Sequence, residues 1–211
     1  MADPTPTPTD WSGLPDDLPV PFDDGAADHL PGAALPVLEL KATDGSFVTL
    51  SDLGPGRTIL YVYPRSGQPG VPNPDGWDDI PGARGCTPES CAFRDHLADL
   101  TRAGADRVLG LSSQDTAYQQ ELAERLHLPY PLVSDPALSL ASAMGLPTFE
   151  AGGMRLYARL TLSIVQGRVE HVWYPVFPPD THAEEVLGWL RSGGDTGHVG
   201  TRNTSAADPL T

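Results

Sequence analysis

Two cysteines, Cys86 and Cys91, are the only thiols of the chain, and they lie five residues apart where a loop gives way to a helix. Thr87 is suited to cap that helix, and Pro88 to occupy its first helical position, where a missing N–H loses no hydrogen bond. On this prediction Cys86 lies at the positive end of the helix, where backbone amides stabilise a thiolate and lower its pKa. Redox or nucleophilic chemistry at Cys86 is therefore the leading hypothesis.

The same two cysteines allow other interpretations. They could form a structural pair or be buried as apolar thiols. A metal site built with His96 fits poorly, because the spacing matches no zinc pattern and no second ligand pair follows. The Cys-x-x-Cys motif of thiol oxidoreductases is absent, since four residues rather than two separate the thiols. Two cysteines in a chain of this size do not indicate a disulfide scaffold.

Strands and helices alternate along the chain and must position the cysteines. Phe93, Leu97 and Leu100 give the cysteine helix an apolar face, and the helix extends to about residue 103. The wholly apolar run 59–63 predicts a central strand that is buried on both faces. The other predicted strands are 36–40, 47–50, 108–112, 160–165 and 169–174, and the other predicted helices are 115–127, 135–145 and 181–191.

This order predicts an α/β domain of the thioredoxin-like architecture, with a mixed central sheet flanked by helices and an N-terminal hairpin. The domain is expected to span residues 31–191. Residues 1–30 hold seven aspartates and no lysine or arginine, which predicts a disordered acidic tail. Residues 192–211 are rich in glycine, serine, threonine and aspartate, which predicts a flexible C-terminal tail.

The charge balance restricts the partners. Thirteen basic and 28 acidic residues give a net charge of −15. Such a field repels nucleic acid and anionic membranes, so neither is expected as a partner.

No apolar run reaches the length of about 20 residues that spans a bilayer. The N-terminus lacks the pattern of a signal peptide, so we expect a cytoplasmic protein, either a monomer or a homodimer.

Several blocks of the sequence resemble the peroxiredoxins, and among them the bacterioferritin-comigratory, or Q-type, subfamily. The resemblance begins at Tyr-Val-Tyr-Pro-Arg, 61–65, and centres on Gly-Cys-Thr-Pro-Glu-Ser-Cys-Ala-Phe-Arg-Asp, 85–95. It continues through 109–115, 128–136, 159–164 and 167–172. The ordered set of blocks is more specific than any one of them.

The resemblance implies a thiol-dependent peroxidase that uses no metal or organic cofactor. By the match Cys86 is the peroxidatic cysteine, whose thiolate attacks a hydroperoxide and becomes a sulfenic acid, and Cys91 is the resolving cysteine. Arg159 matches the arginine that stabilises the peroxide and the thiolate, and Glu89 matches a glutamate that orients an active-site arginine. The implied substrate is hydrogen peroxide or an organic hydroperoxide, and the implied reductant is a thioredoxin-like dithiol.

The chain departs from the family in the segment before Cys86. The family motif is Pro-x-x-x-Thr-x-x-Cys, whereas Pro64 lies 22 residues before Cys86 (86 − 64). The additional residues, about 66–84, form an insert that is rich in proline and glycine and that holds Trp77. The insert could be a lid over the pocket, a selector of bulkier hydroperoxides, a partner-binding loop or a neutral insertion.

The end of the insert also changes the expected site. Ala83 stands where the family has a threonine whose hydroxyl contacts the peroxide. Ser66 and Thr87 are the candidate substitutes. Arg84 is either a second cation beside the thiolate or a solvated loop charge.

The spacing of the two cysteines restricts how they can form a disulfide. Five residues of an α-helix rotate by roughly 500° and rise about 7.5 Å, whereas disulfide-bonded Cα atoms lie about 5.5 Å apart. A Cys86–Cys91 disulfide therefore requires local unfolding of residues around 86–93.

Two rival functions stay open from the sequence. A protein thiol-disulfide oxidoreductase would share the fold and the cysteines. A peroxiredoxin-like redox sensor or partner-binding module, with little peroxidase activity, would use the insert and the acidic tail to engage a partner. The missing threonine favours the second rival.

Overall fold

The computed structural model describes residues 14–15 and 17–194. Its strands are β1 (Glu39–Ala42), β2 (Phe47–Thr49), β3 (Arg57–Val62), β4 (Arg107–Ser112), β5 (Leu132–Ser134), β6 (Thr148–Ala151), β7 (Met154–Tyr157), β8 (Leu160–Val165) and β9 (Arg168–Trp173). Its α-helices are α1 (Cys86–Arg102), α2 (Thr116–Arg125), α3 (Ser139–Met144) and α4 (His182–Arg191), and a 3₁₀ turn spans Trp77–Asp79.

Seven strands form one mixed sheet in the order β2-β1-β5-β4-β3-β8-β9, and β6 and β7 form a separate hairpin. Strands β3, β4 and β5 run parallel to one another. Strands β1 and β8 pair antiparallel with their neighbours, and β1 and β2 form the N-terminal hairpin. The predicted thioredoxin-like fold, with a mixed central sheet flanked by helices, is confirmed.

Strand β3 is apolar from Ile59 onward, and the sheet is covered on both of its faces. Ile59 and Tyr61 belong to the hydrophobic cluster that contains the buried side chains of α1 and α4, whereas Leu60 and Val62 belong to the cluster on the opposite face. Successive side chains of a strand point to opposite faces. A wholly apolar run is therefore what a doubly covered strand requires, and the prediction of a buried strand at 59–63 is confirmed.

The predicted disorder of residues 1–30 is wrong for part of the described chain. Ala27 and Leu30 are buried in the same cluster as Leu60, and the turn that holds them is closed by a bond from Leu30 N to Ala27 O. Two apolar side chains are enough to fix this segment to the domain, although the composition around them is acidic. Residues 1–13, 16 and 195–211 lie outside the described residues, and with them nearly half of the predicted N-terminal tail and most of the predicted C-terminal tail.

Two further elements were not predicted. Strand β5 has only three residues and depends on pairing with β4 and β1 on either side. The β6–β7 hairpin packs against the insert, because Trp77 and Ala83 share a small hydrophobic cluster with Ala151 and Leu156.

Across the described residues, no helix combines the length and the apolar character needed to cross a membrane.

Candidate active site

Helix α1 begins at Cys86 itself. Its N-cap is Gly85, whose φ of +106° is left-handed and suits glycine. A Cβ at Gly85 would collide with the ring of Pro179. The predicted cap at Thr87 is therefore wrong, and Thr87 and Pro88 lie inside the first turn. Pro88 still loses no helical hydrogen bond, because the N–H groups of the first turn have no partner within the helix.

The structure brings Cys86, Glu89 and Arg159 together in the interior of the protein. Arg159 Nη2 lies 3.1 Å from Cys86 Sγ. Arg159 Nη1 donates to Glu89 Oε2, and these two side chains are 1% and 0% exposed. Arg159 Nη2 also donates to the carbonyls of Ala83 and Arg84, at 3.3 and 3.1 Å. One guanidinium therefore joins the first turn of α1 to the end of the insert.

Regular elements position the three side chains. Glu89 follows Cys86 by three residues in α1, and residues three apart are neighbours on a helix surface. Arg159 immediately precedes β8, which pairs with the buried strand β3 along its whole length. The ion pair therefore links a helix on one face of the sheet to the sheet itself.

The guanidinium keeps an unused donor. Among the buried side-chain atoms of the described residues, Arg159 Nε and Glu89 Oε1 have no hydrogen-bond partner. A buried donor without a partner carries a free-energy cost that a ligand oxygen can remove. Arg159 Nε is therefore a donor that a ligand oxygen could satisfy.

Burial and charge act against each other at the thiol. Burial raises the pKa of Cys86, the Arg159 guanidinium lowers it, and the Glu89 carboxylate raises it, so that the pKa lies above its ordinary value. A net lowering of this pKa is therefore not found in this conformation, because desolvation is the larger effect, and the contribution of the helix terminus itself stays a prediction. Burial likewise raises the pKa of Glu89, whereas Arg159 lowers it. The thiolate depends on Arg159 for its stabilisation.

A small cavity lies beside Cys86. It has about 20 Å³ of space for a water-sized molecule, which is close to the room that one water needs. The first turn of α1 contributes Thr87 and Pro88 to its wall, and the insert contributes Trp77 and Arg84. The insert therefore forms part of the site and limits its size.

The two candidate substitutes for the missing threonine differ in their contacts. Ala83 is buried, and its carbonyl oxygen lies 3.7 Å from Cys86 Sγ. Ser66 is also buried, but its Oγ donates to Gln114 Oε1 at 2.9 Å. Thr87 lines the cavity beside Cys86. Thr87 is therefore the stronger candidate, because it lines the cavity whereas the Ser66 hydroxyl is already bonded to Gln114.

Cys91 is kept apart from Cys86. Both are free thiols, and both lie within the regular helix α1. Their side chains therefore point about 140° apart around the helix axis. Cys91 is half-buried; burial raises the pKa of its thiol and Arg94 lowers it.

Sequence reasoning missed three hydroxyl groups around the first turn of α1. Tyr61, Ser90 and Tyr130 are buried there and are joined by hydrogen bonds. The alternation of β3 puts Tyr61 on the same face of the sheet as Cys86, which was the available sequence pattern. Ser90 and Tyr130 lie in the matched blocks 85–95 and 128–136, but the resemblance assigns neither of them a role. Among the described residues, no group of three or more His, Cys, Asp or Glu side chains could hold a metal ion.

Comparison with protein families and sequences gives consistent relatives. A family model described as Redoxin matches residues 30–187. The chain is 31% identical over 162 residues to the chloroplastic peroxiredoxin Q of Gentiana triflora, covering 76% of this chain and 66%, just under two thirds, of that protein. It is 31% identical over 163 residues to a Coxiella burnetii protein named as a peroxiredoxin of the bcp type, covering 75% of this chain and 97% of that protein.

Solved structures agree with these relatives. Peroxidoxin BcpB from Mycobacterium tuberculosis superposes with a TM-score of 0.61 and 28% identity, covering 77% of this chain and 97% of that one. A mutant of PrxQ from Xylella fastidiosa gives a TM-score of 0.63 and 25% identity, covering 79% of this chain and 99% of that one.

Proposed function

The chain belongs to the redoxin family, and from that premise we propose that it is a thiol-dependent peroxidase with Cys86 as its peroxidatic cysteine. The observation that carries the proposal is the 3.1 Å contact between Arg159 Nη2 and Cys86 Sγ in a buried site. A cation fixed beside a buried thiol stabilises the thiolate and the charge that develops on the attacked peroxide. Glu89 holds the guanidinium in place as its counter-ion.

The first step oxidises Cys86. Its thiolate attacks one peroxide oxygen, so that an S–O bond forms and the O–O bond breaks. The departing hydroxide or alkoxide takes up a proton and leaves as water or an alcohol. The sulfur loses two electrons and becomes a sulfenic acid, and the peroxide gains them. Arg159 Nε, which has no partner, is available to donate a hydrogen bond to a peroxide oxygen.

The second step uses Cys91 as the resolving cysteine. Its thiol attacks the sulfenic sulfur, so that a Cys86–Cys91 disulfide forms and water leaves. A thioredoxin-like dithiol then reduces this disulfide by exchange and restores both thiols. Because both cysteines lie within α1, the helix unwinds around residues 86–93 before the disulfide closes.

Two cavities support two substrate classes. The cavity of about 20 Å³ beside Cys86 has room only for a molecule of about the size of water, which favours hydrogen peroxide over larger substrates there. A larger cavity of about 400 Å³ reaches Arg159 and is lined by apolar side chains that include Phe149 and Val176. An organic hydroperoxide would direct its apolar group there, so hydrogen peroxide and organic hydroperoxides are both proposed as substrates.

Peroxide consumption with a thioredoxin-like dithiol as reductant tests the proposal. We expect turnover in the wild-type protein and none in Cys86→Ser. Reduction of insulin without peroxide consumption would instead establish a protein thiol-disulfide oxidoreductase. Slow peroxide turnover together with a stable, disulfide-dependent partner complex would establish the sensor or partner-binding module, which the absence of a threonine at Ala83 favours.

Other expectations from the sequence stay predictions. They are the cytoplasmic location, the absence of nucleic-acid and membrane partners, and the monomeric or homodimeric state.

A further inference from the structure

Three hydroxyl groups join the start of α1 to Tyr61 of β3 and to Tyr130, which lies just before β5. Ser90 Oγ donates to the carbonyl oxygen of Cys86 at 3.0 Å. The Tyr61 hydroxyl donates to Ser90 Oγ at 3.1 Å, and the Tyr130 hydroxyl donates to the carbonyl oxygen of Ser90 at 2.8 Å. Each hydroxyl hydrogen therefore has an acceptor within this turn or on the neighbouring side chain.

The two tyrosines are held rigidly. Tyr61 is fully buried and stacks on Phe93, with ring centroids 4.6 Å apart. Gly110 leaves room for its ring, since a Cβ there would lie 2.6 Å from Tyr61 Cζ. Tyr130 is 7% exposed, and its hydroxyl lies 3.2 Å from that of Tyr61. The hydrogen bonds to Ser90 thus come from side chains that the core keeps in one position.

Ser90 lies between the two cysteines, so these bonds bear on disulfide formation. The sulfur atoms of Cys86 and Cys91 meet only after the turn that contains Ser90 unwinds. Unwinding moves Cys86 relative to Ser90, which breaks the bond between Ser90 Oγ and the Cys86 carbonyl. It also displaces the Ser90 carbonyl from Tyr130. A hydrogen bond from Tyr130, a buried side chain just before β5, therefore opposes the movement that resolution of the sulfenic acid requires.

We propose that Tyr61, Ser90 and Tyr130 form a latch that sets the rate of Cys86–Cys91 disulfide formation, an inference that rests on the proposed peroxidase function. While the latch is closed, Cys86 stays beside Arg159 and can react with a second peroxide. That reaction adds an oxygen to the sulfenic acid, which becomes a sulfinic acid, and releases water or an alcohol. A tighter latch therefore favours over-oxidation, and a looser latch favours the disulfide. The latch residues are positioning residues, since they act through α1.

Matched tyrosine-to-phenylalanine variants test the latch. Tyr130→Phe and Tyr61→Phe each remove one hydroxyl group and keep the buried ring. Tyr63→Phe is the control, because Tyr63 is also fully buried but its hydroxyl donates to Gln119 Oε1, at 2.6 Å, and not to α1. Rapid mixing with hydrogen peroxide separates a peroxide-dependent phase, which forms the sulfenic acid, from a peroxide-independent phase, which forms the disulfide.

We expect the peroxide-independent phase of Tyr130→Phe and Tyr61→Phe to be faster by about three- to tenfold, the effect of one net hydrogen bond. In the same two variants, the amount of sulfinic acid formed at a given peroxide concentration, measured by mass spectrometry, should be lower than in the wild-type protein. Tyr63→Phe should match the wild-type protein in both phases. An unchanged second phase in folded Tyr130→Phe and Tyr61→Phe would overturn the latch and leave the peroxidase function standing.

A second readout does not depend on peroxide chemistry. Amide hydrogen exchange in the reduced protein reports local opening of α1. We expect faster exchange for amides near Ser90 in Tyr130→Phe than in Tyr63→Phe. Equal exchange in the two variants would reject the latch. A wild-type protein that lacks the peroxide-dependent phase would reject the peroxidase function separately.

Discussion

Arg159 and Cys86 meet in the interior, with Nη2 3.1 Å from Sγ, and the guanidinium opposes a burial effect that raises the pKa of the thiol. The contact is the main source of stabilisation for a thiolate that has little water around it. A cation that holds an anion in a desolvated site acts more strongly than it would in water. Reactivity of Cys86 should therefore depend on Arg159 more than on the helix terminus.

Arg159→Met removes the charge and keeps an unbranched side chain. Loss of a nearby cation disfavours the thiolate, so the pKa of Cys86 should rise further and the profile of thiol reactivity should shift to higher pH. We expect the rate of peroxide oxidation at pH 7 to fall by about 100-fold or more. The pH dependence of iodoacetamide alkylation measures the shift.

Arg159→Lys separates the charge from the geometry of the side chain. Lysine keeps the cation but loses the planar fork that joins Glu89 and Cys86. We expect a smaller pH shift than in Arg159→Met, with oxidation still slow. A profile of Arg159→Met that coincides with the wild-type profile would contradict the role of the guanidinium.

The candidate site shows what sequence resemblance can and cannot supply. The matched blocks named Cys86, Glu89 and Arg159, and the structure brings those three side chains together. Local sequence did not reveal that α1 begins at Gly85, because the cap depends on a left-handed glycine packed against Pro179. It also did not reveal the direction of the Cys86 pKa shift, since burial is a property of the whole fold.

The fold also has elements that the local sequence predicts and elements that depend on contacts with the rest of the chain. Strand β3 was predictable because a run of apolar residues has one stable position, between two layers of helices. Strand β5 was not predictable, because three residues carry no period of their own and become a strand only through pairing with β4 and β1. The segment that contains Ala27 and Leu30 was misassigned, since its composition is acidic while its two buried side chains fix it to the core.

Thr87→Val tests whether Thr87 replaces the missing threonine. Valine keeps the branched shape and removes the hydroxyl, so we expect sulfenic acid formation to slow by about tenfold, the effect of one lost donor to a charged group. Thr87→Ser should retain most of the rate. Ser66→Ala is the control, because its hydroxyl is bonded to Gln114. Equal rates of sulfenic acid formation in Thr87→Val and the wild-type protein would show that the Thr87 hydroxyl does not replace the missing threonine.

Trp77→Ala tests the insert as a wall of the cavity. The substitution widens the space beside Cys86, so the rate with cumene hydroperoxide should rise relative to the rate with hydrogen peroxide. Leu156→Ala is the control, because Leu156 belongs to the same hydrophobic cluster as Trp77 and lines neither the cavity beside Cys86 nor the larger one. An unchanged ratio of the two rates in Trp77→Ala would show that the insert does not select the substrate.

Disulfide formation should unwind the start of α1. Amides of residues 86–93 should exchange hydrogen faster in the disulfide form than in the reduced form, because the two cysteines cannot join within a regular helix. Amides of α4, which contains neither cysteine, are an internal control. Unchanged protection of residues 86–93 in a protein with a verified Cys86–Cys91 disulfide would contradict the unwinding.

The most direct measurement is single-turnover oxidation of the reduced protein by hydrogen peroxide, with Cys86→Ser and Cys91→Ser measured beside it. We expect fast oxidation in the wild-type protein, no oxidation above that of a free thiol in Cys86→Ser, and a sulfenic acid that dimedone traps in Cys91→Ser. Wild-type oxidation no faster than that of a free thiol would contradict a peroxidase centred on Cys86 and Arg159, and so would full activity in Cys86→Ser.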